Sequence, residues 1–333
     1  MRERLKVALV GVGRMGRIHA DVVERVPNLE VTHVSDLNLD AAASVAERFG
    51  ARAAALEDVL ANDAVQAIVV STPTRTHAEV VMAAITAGKP VFVEKPLAHD
   101  LHSSDQIVAA VRATGVPVQV GFQRRYDPAV QEARRRIDAG ELGTIEGYRA
   151  VDRDTAPPAL EFLKGSGGIF VDLAIHDIDT ARFLVGEIEE VHAIGGAISD
   201  PSLAEHGLFD TAVATIRFSS GAVGTIECAL NSPWGYDIRS EVIGSQGRIT
   251  VDMDSRHLLK RYERRGMIQD RPRDFSWSYF QAYTNELEAF AFNILNGNAV
   301  APDVVDGRDS LRAALAAQQS LETGRTVRVR DVH

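Results

Sequence analysis

The chain has 333 residues, a hydrophobic fraction of 45% and a formal net charge of -10 at pH 7. A chain of this length exceeds the size at which one core keeps growing, so two domains are expected. The negative charge argues against nucleic-acid binding, which needs clustered Lys and Arg. Cys228 is the only cysteine, which excludes an internal disulfide. No segment approaches the roughly 20 apolar residues of a membrane span, so we expect a cytoplasmic protein with no membrane partner.

Strands and helices alternate along the first part of the chain. The segment "KVALVGVG" predicts a strand, "RMGRIHADVVERV" a helix, and "LEVTHVSD" a second strand. The same alternation continues to "VPVQVGF", which ends at Phe122. Units of this kind build a parallel sheet with helices on both faces, because their crossovers are right-handed. Residues 1–122 are therefore predicted to form a doubly wound Rossmann domain of the α/β class.

A glycine pattern typical of dinucleotide binding lies where the first predicted strand meets the first helix. Gly11, Gly13 and Gly16 form G-x-G-x-x-G, which allows a tight turn and lets the backbone approach a pyrophosphate at the helix N-terminus. Asp36 ends the second predicted strand, where a carboxylate accepts hydrogen bonds from ribose hydroxyls and repels a 2′-phosphate. The pattern predicts NAD rather than NADP. The alternative is that the glycines serve only a tight contact between helix and strand.

After residue 122 the alternation stops. Six segments read as strands joined by turns of Gly, Ser and Asn: "EGYRAVDRD", "IEEVHAIGGAI", "DTAVATIRFSS", "AVGTIECALNS", "YDIRSEVIGS" and "GRITVDM". This succession is typical of a mainly antiparallel sheet. We predict that residues 123–333 form an α+β domain for substrate binding and oligomerisation. An alanine-rich helix over about 308–322 is expected to pack back on the first domain.

The segment "GGIFVDLAIHDID" places an acid and a histidine four residues apart in an apolar setting. If a helix runs from Asp172 onward, Asp172, His176 and Asp179 share one face, and Asp177 points away. One interpretation is a carboxylate and an imidazole that satisfy each other in the core. A metal site is a second, disfavoured by the lack of an H-E-x-x-H pattern or a cysteine ligand set. The third is a catalytic pair, with His176 as a base that Asp172 orients.

Several spaced motifs resemble one known family. The segments "GVGRMGRIHA", "STPTRTHAEVV", "VFVEKPLA", "VGFQRRYDP" and "SGGIFVDLAIHDIDTARFLVG", in this order, resemble the Gfo/Idh/MocA oxidoreductases, and within them the inositol 2-dehydrogenases. The resemblance implies an active site between the two domains and NAD-dependent oxidation of a polyol or sugar. It favours myo-inositol, with scyllo-inositol, another inositol isomer or a pyranose sugar as alternatives. It also implies a homotetramer.

The resemblance implies that Lys95, Asp172 and His176 form a catalytic triad. Oxidation of a secondary alcohol needs a hydride acceptor, a base and a cation near the developing alkoxide, and Lys95 in "EKP" suits the last role. Without the family, Lys95 is equally well interpreted as a surface lysine at a strand end. A chain of this fold can also be a non-catalytic dinucleotide sensor, although a sensor has no need of these three groups together.

Further residues are assigned to the cofactor or the substrate. The predicted cofactor residues are Gly11, Gly13, Arg14, Met15, Gly16, Asp36, Leu37, Ser71, Thr72, Pro73, His77, Glu94, Lys95 and Arg124. The predicted substrate residues are Lys95, Gln123, Arg124, Asp152, Asp154, Asp172, His176 and Trp234. Alternatives remain for some of them. Arg124 is otherwise the first exposed arginine of its helix, Trp234 a core residue, and Asp152 and Asp154 part of a solvated loop. No metal is predicted.

Overall fold

A computed structural model describes residues 3–252, 260–264, 266–269, 271 and 273–333. Its helices are α1 (Arg14–Val23), α2 (Leu39–Phe49), α3 (Leu56–Ala61), α4 (His77–Thr86), α5 (Leu101–Thr114), α6 (Pro128–Asp138), α7 (Leu160–Gly165), α8 (Ile169–Asp172), α9 (Ile175–Leu184), α10 (Phe275–Ser278), α11 (Phe280–Asn296) and α12 (Val304–Thr323). Its strands are β1 (Leu5–Val10), β2 (Leu29–Ser35), β3 (Arg52–Ala53), β4 (Ala67–Val70), β5 (Val91–Glu94), β6 (Val118–Gly121), β7 (Ile145–Arg153), β8 (Ile188–Gly196), β9 (Thr211–Phe218), β10 (Val223–Ala229), β11 (Asp237–Gly244), β12 (Gly247–Asp252), β13 (Arg261–Glu263), β14 (Gly266–Ile268) and β15 (Val327–Arg328).

The first sheet has six parallel strands in the order β3-β2-β1-β4-β5-β6. Strands β4, β5 and β6 are buried along their whole length, as expected for strands covered by helices on both faces. The strand order reverses between β1 and β4, and ligands of such sheets bind outside the carboxyl ends of the strands at that point. The predicted Rossmann fold is confirmed.

The second sheet has seven strands in the order β12-β11-β7-β10-β9-β8-β15. Its pairs are antiparallel except β7 with β10, which run parallel. Each of the six segments predicted as strands contributes one strand to this sheet. The predicted α+β architecture with a mainly antiparallel sheet is therefore confirmed.

The chain divides into two compact units that do not follow the sequence in two simple blocks. The first unit comprises Met1–Tyr126 and Phe280–Asp309, and the second comprises Asp127–Tyr279 and Ser310–His333. The first unit thus includes α11 and the beginning of α12. In that first part of α12, a Cβ added at Gly307 would meet the Val120 side chain of β6 at 2.8 Å, so this turn packs closely on the Rossmann sheet.

Candidate active site

Gly11, directly after β1, and Gly16, in the first turn of α1, shape the first part of the candidate site. Gly11 has a φ of 88°, and a Cβ there would lie 2.7 Å from the backbone of Ser71 and Thr72. A Cβ at Gly16 would lie 2.1 Å from the Gly11 carbonyl oxygen. Side chains are excluded at both positions, because backbone fills the space. At Gly13, by contrast, nothing lies within 4 Å of an added Cβ, so the N-terminus of α1 faces open space.

Asp36 follows β2 at the same edge of the sheet. One carboxylate oxygen accepts the Val12 N–H at 2.8 Å, and the other accepts the Asn38 N–H at 2.8 Å. Both bonds fix the carboxylate beside the glycine turn. Each carboxylate oxygen can accept a second hydrogen bond, so capacity for ribose hydroxyls remains. Nearby, Leu37 is fully exposed at the strand end.

The segment after β4 is closed by a buried histidine. The Ser71 hydroxyl donates to the Gly11 carbonyl at 2.9 Å, which joins this segment to the glycine turn. The two ring nitrogens of His77 lie 2.9 Å from the Thr72 carbonyl and 2.8 Å from the Pro96 carbonyl. Burial lowers the pKa of His77 below its ordinary value, and the two carbonyls only partly oppose this shift. His77 therefore connects the segment after β4, through the Thr72 carbonyl, to the "EKP" turn, through the Pro96 carbonyl.

The remaining predicted cofactor residues on α1 lie at its first turn. Arg14 is exposed and Met15 half-buried, directly after the open space at Gly13. The N-terminus of a helix carries unpaired N–H groups and a partial positive charge, which favours a phosphate there. The glycine turn, Asp36 and this helix end thus fit a dinucleotide, with open space where the backbone N–H groups point.

The "EKP" turn follows β5. Lys95 is half-buried, and the Lys95–Pro96 peptide bond is cis. The Glu94 carboxylate, only 6% exposed, accepts the Lys95 N–H at 3.3 Å and lies 2.6 Å from Nε2 of His19. His19 was not predicted as a site residue. Its only sequence signal is a polar side chain on the buried face of a helix, which does not reveal the partner.

Gln123 and Arg124 lie in a 3₁₀ turn after β6, at Gln123–Tyr126. Arg124 is only 7% exposed, so the alternative of an exposed first arginine in a helix is wrong. The turn is held within the first unit, because Arg125 pairs with Asp306 at 3.1 Å and the Tyr126 hydroxyl donates to a backbone carbonyl. Arg124 is therefore a buried cation just after the end of β6, next to Gln123.

In the second unit, the predicted helix from Asp172 onward is interrupted. Helix α8 ends at Asp172, and α9 begins at Ile175, so the prediction of one continuous helix is wrong. Gly167 and Gly168, both of positive φ, lie immediately before α8, and the interruption itself falls at Leu173 and Ala174. Asp172 and His176 are half-buried, whereas Asp177 and Asp179 are 1% exposed.

Asp179 belongs to a buried network rather than to the same stripe as Asp172. The Ser310 hydroxyl donates to Asp179 at 2.8 Å and accepts from Arg182 at 2.7 Å. Arg182 also forms two hydrogen bonds with Glu187, at 2.9 and 2.7 Å. This network is structural, because it fixes the C-terminal part of α9 to α12 and to the start of β8. Asp172 and His176 therefore remain the candidate catalytic pair of the second unit.

Asp172 borders a cleft of about 240 Å³ in the second unit. The lining residues are Leu163, Lys164, Ser166, Gly167, Gly168, Ile169, Asp172, Gly207, Leu208, Phe209, Leu230, Gln318 and Glu322. Polar side chains in this wall include Lys164, Ser166 and Asp172. Gly168 has a φ of 99°, which favours glycine, and an added Cβ would overlap the end of the Gln318 side chain at 2.3 Å.

For two of the other predicted substrate residues in the second unit, the structure contradicts the alternative interpretation. Asp152 is in β7 and fully buried, so the solvated-loop alternative is wrong for it. Burial raises the pKa of the Cys228 thiol well above its ordinary value, and the Asp152 carboxylate adds to this effect. Trp234 is 52% exposed, so core packing is wrong, and the Arg153 guanidinium lies 5.9 Å from its ring centroid. Asp154 is half-buried, just after β7.

Neither a metal site nor a membrane-spanning helix is present among the described residues. In the described ranges, no group of three or more His, Cys, Asp or Glu side chains is arranged to hold a metal ion. No helix among the residues that the structure describes is long and apolar enough to cross a membrane.

The fold and the glycine turn define a class of protein: a dinucleotide-binding Rossmann protein with a second α+β unit. Comparison with known families narrows this class. A family model described as "Oxidoreductase family, NAD-binding Rossmann fold" matches residues 5–122, and a model of the GFO/IDH/MocA C-terminal domain matches residues 130–250. The chain belongs to the Gfo/Idh/MocA oxidoreductase family and is an NAD-dependent dehydrogenase.

Similar proteins cover nearly the whole chain. A scyllo-inositol 2-dehydrogenase (NAD(+)) of Bacillus subtilis is 38% identical over 99% of this chain and 97% of its own length. A myo-inositol 2-dehydrogenase of Thermotoga maritima is 34% identical over 98% of this chain and 99% of its own length. Among solved structures, scyllo-inositol dehydrogenase of Lactobacillus casei with bound NAD(H) and scyllo-inositol is 27% identical and covers 98% of this chain and 100% of that chain, with a TM-score of 0.92.

Proposed function

We propose that this protein oxidises a secondary alcohol of an inositol to a ketone with NAD, and that myo-inositol is its first candidate substrate, giving 2-keto-myo-inositol. The observation that carries the proposal is similarity to inositol dehydrogenases over essentially the full length, with Lys95, Asp172 and His176 all present. Scyllo-inositol is the second candidate, favoured by the 38% identity to the Bacillus subtilis enzyme.

In the proposed reaction His176 takes the proton of the substrate hydroxyl, and Asp172 orients its imidazole and stabilises the imidazolium. The Lys95 ammonium stabilises the negative charge that develops on the hydroxyl oxygen. NAD, when bound, accepts the hydride from the carbon that carries this hydroxyl. The alcohol thus loses one proton and one hydride and becomes a ketone. The residues proposed to hold NAD are Gly11, Gly13, Arg14, Met15, Gly16, Asp36, Leu37, Ser71, Thr72, Pro73, Glu94, Lys95 and Arg124, with His77 acting through backbone carbonyls.

Substrate hydroxyls are proposed to contact Gln123, Arg124, Asp152, Asp154 and Trp234. A buried carboxylate such as Asp152 can accept a hydroxyl hydrogen bond without competition from bulk water, which strengthens the interaction. An exposed tryptophan ring provides a flat apolar surface for the C–H face of a cyclitol. Both features distinguish a polyol site from a general polar surface.

The test is NADH formation with NAD or NADP across a panel of inositol isomers and aldoses. Rapid reduction of NAD with myo-inositol supports the proposal, and a higher kcat/KM for scyllo-inositol selects the second candidate. A panel without turnover, in the presence of measurable NAD binding, contradicts the inositol assignment and revives the alternative of a dinucleotide sensor.

We also propose that the protein is a cytoplasmic homotetramer. The buried, single Cys228 is compatible with a reducing compartment. One face of the second sheet exposes Ile194 and Val223 by 65% and 57%, and these lie among cross-strand ion pairs such as Arg217 with Glu190 at 3.1 Å. An apolar exposed surface with a polar surround supports self-association. Light scattering coupled to size-exclusion chromatography measures the oligomeric state directly.

A further inference from the structure

A buried pair of side chains lies behind the "EKP" turn. His19 is fully buried on α1, and its Nε2 is 2.6 Å from Oε1 of Glu94. The other oxygen of Glu94 accepts the Lys95 N–H at 3.3 Å. A carboxylate only accepts hydrogen bonds, so His19 is the donor of the short contact. The chain of contacts runs from α1 through one carboxylate to the backbone of Lys95.

The surroundings fix both members of the pair. The His19 ring makes edge contacts with Phe92 and Tyr283, at centroid distances of 5.4 and 5.8 Å. Opposite Glu94 in the neighbouring strand is Gly121, where an added Cβ would lie 3.3 Å from the Glu94 carboxylate. A side chain at position 121 of β6 would therefore crowd the Glu94 carboxylate. The contact with His19 sets the direction of that carboxylate.

The far side of Lys95 is held independently. The Pro96 carbonyl lies 2.8 Å from Nδ1 of His77. The backbone that presents Lys95 is thus fixed by the Glu94 carboxylate before it and by the His77 imidazole after it. Removal of His19 would leave Glu94 buried without the donor on Oε1, and a buried carboxylate in that state turns toward another donor. The Lys95 ammonium is the cation nearest to Glu94 in sequence, so we expect the Glu94 carboxylate to turn toward it.

We propose that His19 is a positioning residue that fixes Lys95 through the Glu94 carboxylate. The inference rests on the proposed function of Lys95 as the group that stabilises the alkoxide. His19 itself touches neither substrate nor cofactor in this proposal. It sets the direction of Glu94, and Glu94 sets the backbone from which the Lys95 side chain extends. A displaced ammonium would stabilise the transition state less, because such stabilisation depends on a fixed geometry.

The first experiment compares His19→Ala with His19→Gln by steady-state kinetics and NAD titration. Among the described residues Nδ1 of His19 has no hydrogen-bond partner, so only Nε2 needs a substitute, and an N–H of the Gln amide can supply that donor. We expect His19→Ala to lower kcat at saturating NAD at least about tenfold. Because Glu94 is also proposed to hold NAD, the NAD titration fixes the concentration at which kcat is compared. His19→Gln should restore most of the loss. A core role alone would lower the Tm and leave kcat of the folded enzyme unchanged, which would overturn the proposal.

The matched control is His33→Ala. His33 is also a buried histidine of the first unit, 7% exposed on β2, with side-chain partners Thr32 and Asn62. It has no place in the proposed machinery. Its loss should lower stability without changing kcat. An equal fall in kcat for the His33 variant would show that any buried histidine of this unit has the same effect, and would contradict the specific role of His19.

A second experiment does not depend on turnover. The sequence has only the lysines Lys6, Lys89, Lys95, Lys164 and Lys260, so ¹³C-methylated lysines give few NMR signals. Lys95→Arg assigns the Lys95 signal. We expect His19→Ala to move this signal, His19→Gln to restore it and His33→Ala to leave it in place. An unmoved Lys95 signal overturns the inference. If wild type shows no turnover with any inositol, the proposed function fails, and this signal still decides the role of His19.

Discussion

The candidate site residues of the two units are held by different means. In the first unit the cofactor turn is made of backbone: Gly11 and Gly16 leave no space for a Cβ, and carbonyl and N–H groups fix Asp36 and His77. In the second unit the candidate residues are side chains at the ends of short elements, such as Asp172 at the end of α8 and Asp154 after β7. Backbone geometry tolerates few substitutions, whereas side chains at element ends can be exchanged to alter the chemistry.

The largest expected effect tests the assumption that both units supply catalytic groups. Lys95→Ala in the first unit and His176→Ala in the second should each lower kcat at least about 100-fold, the scale of lost electrostatic or acid–base assistance. NAD affinity should stay nearly unchanged, because neither group is part of the glycine turn. Stopped-flow or steady-state NADH formation, with NAD titration by fluorescence, measures both quantities.

Matched controls exist in each unit. Lys6→Ala removes an exposed lysine of β1, and His192→Ala removes a half-buried histidine of β8. Both controls should retain kcat within about twofold. Near-normal turnover in Lys95→Ala would place the electrostatic role elsewhere, and near-normal turnover in His176→Ala would remove the second unit from the chemistry.

The second prediction concerns the backbone of the first unit. Gly16→Ala should lower the free energy of unfolding by about 2 kcal/mol, because its Cβ would lie 2.1 Å from the Gly11 carbonyl oxygen and backbone must move. Gly13→Ala should change stability by less than about 1 kcal/mol, since its Cβ meets open space. It should still weaken NAD binding, because a methyl group would occupy the approach to the helix N-terminus. Urea unfolding and NAD titration separate the two effects.

The same contrast explains how much could be predicted from the sequence. Gly11, Gly16 and Asp36 are recognisable because a backbone turn requires particular residue types at fixed spacing, and the Rossmann sheet follows from local alternation. The break between α8 and α9 is not predicted by the sequence, because the helical spacing of Asp172, His176 and Asp179 continues through it. Strand β3 and helix α3 are too short for periodicity to detect.

Burial was the second source of error. Arg124 and Asp152 are charged residues, and sequence alone favours exposure for both. Arg124 is nevertheless buried in the turn after β6, and Asp152 is buried within β7. Trp234 shows the reverse, because a large apolar ring that is usually buried is half exposed here. His19 could not be assigned, because its partner Glu94 is 75 residues away in sequence and meets it only through the packing of α1 on β5.

The third prediction changes cofactor preference without changing the glycine turn. Asp36→Asn keeps one carbonyl oxygen for the Val12 N–H, loses the acceptor of the Asn38 N–H, and removes the negative charge that repels a 2′-phosphate. The ratio of kcat/KM for NADP to that for NAD should rise about tenfold, equivalent to about 1.4 kcal/mol. Asp40→Asn, an exposed acid in the first turn of α2, is the control for general charge. An equal rise in the control would assign the preference to the overall field rather than to Asp36.

The smallest expected effect concerns how the second unit holds its loops with side chains. Asp210, just before β9, is 1% exposed, and its carboxylate accepts the N–H groups of Ile198, Ser199 and Asp200 at 2.7 to 2.9 Å. Burial alone would raise the pKa of Asp210, but these N–H groups and the Thr211 hydroxyl hold it below its ordinary value of 3.8. A carboxylate whose pKa is lowered by folding stabilises the protein at pH values above its unfolded pKa. This stabilisation is lost as the pH falls through the lower, folded pKa.

Asp210→Asn should therefore lower the free energy of unfolding by about 1 kcal/mol at pH 7, because a charged acceptor of several N–H groups is replaced by a neutral amide. The difference between variant and wild type should shrink below about pH 4, where the wild-type carboxylate becomes protonated. Urea unfolding at a series of pH values measures this difference. Glu189→Gln, which neutralises an exposed acid of β8, should show no such pH dependence. A constant difference across the pH series would mean that the amide fails by shape rather than by charge, and the second unit would then depend on fixed geometry as much as the first.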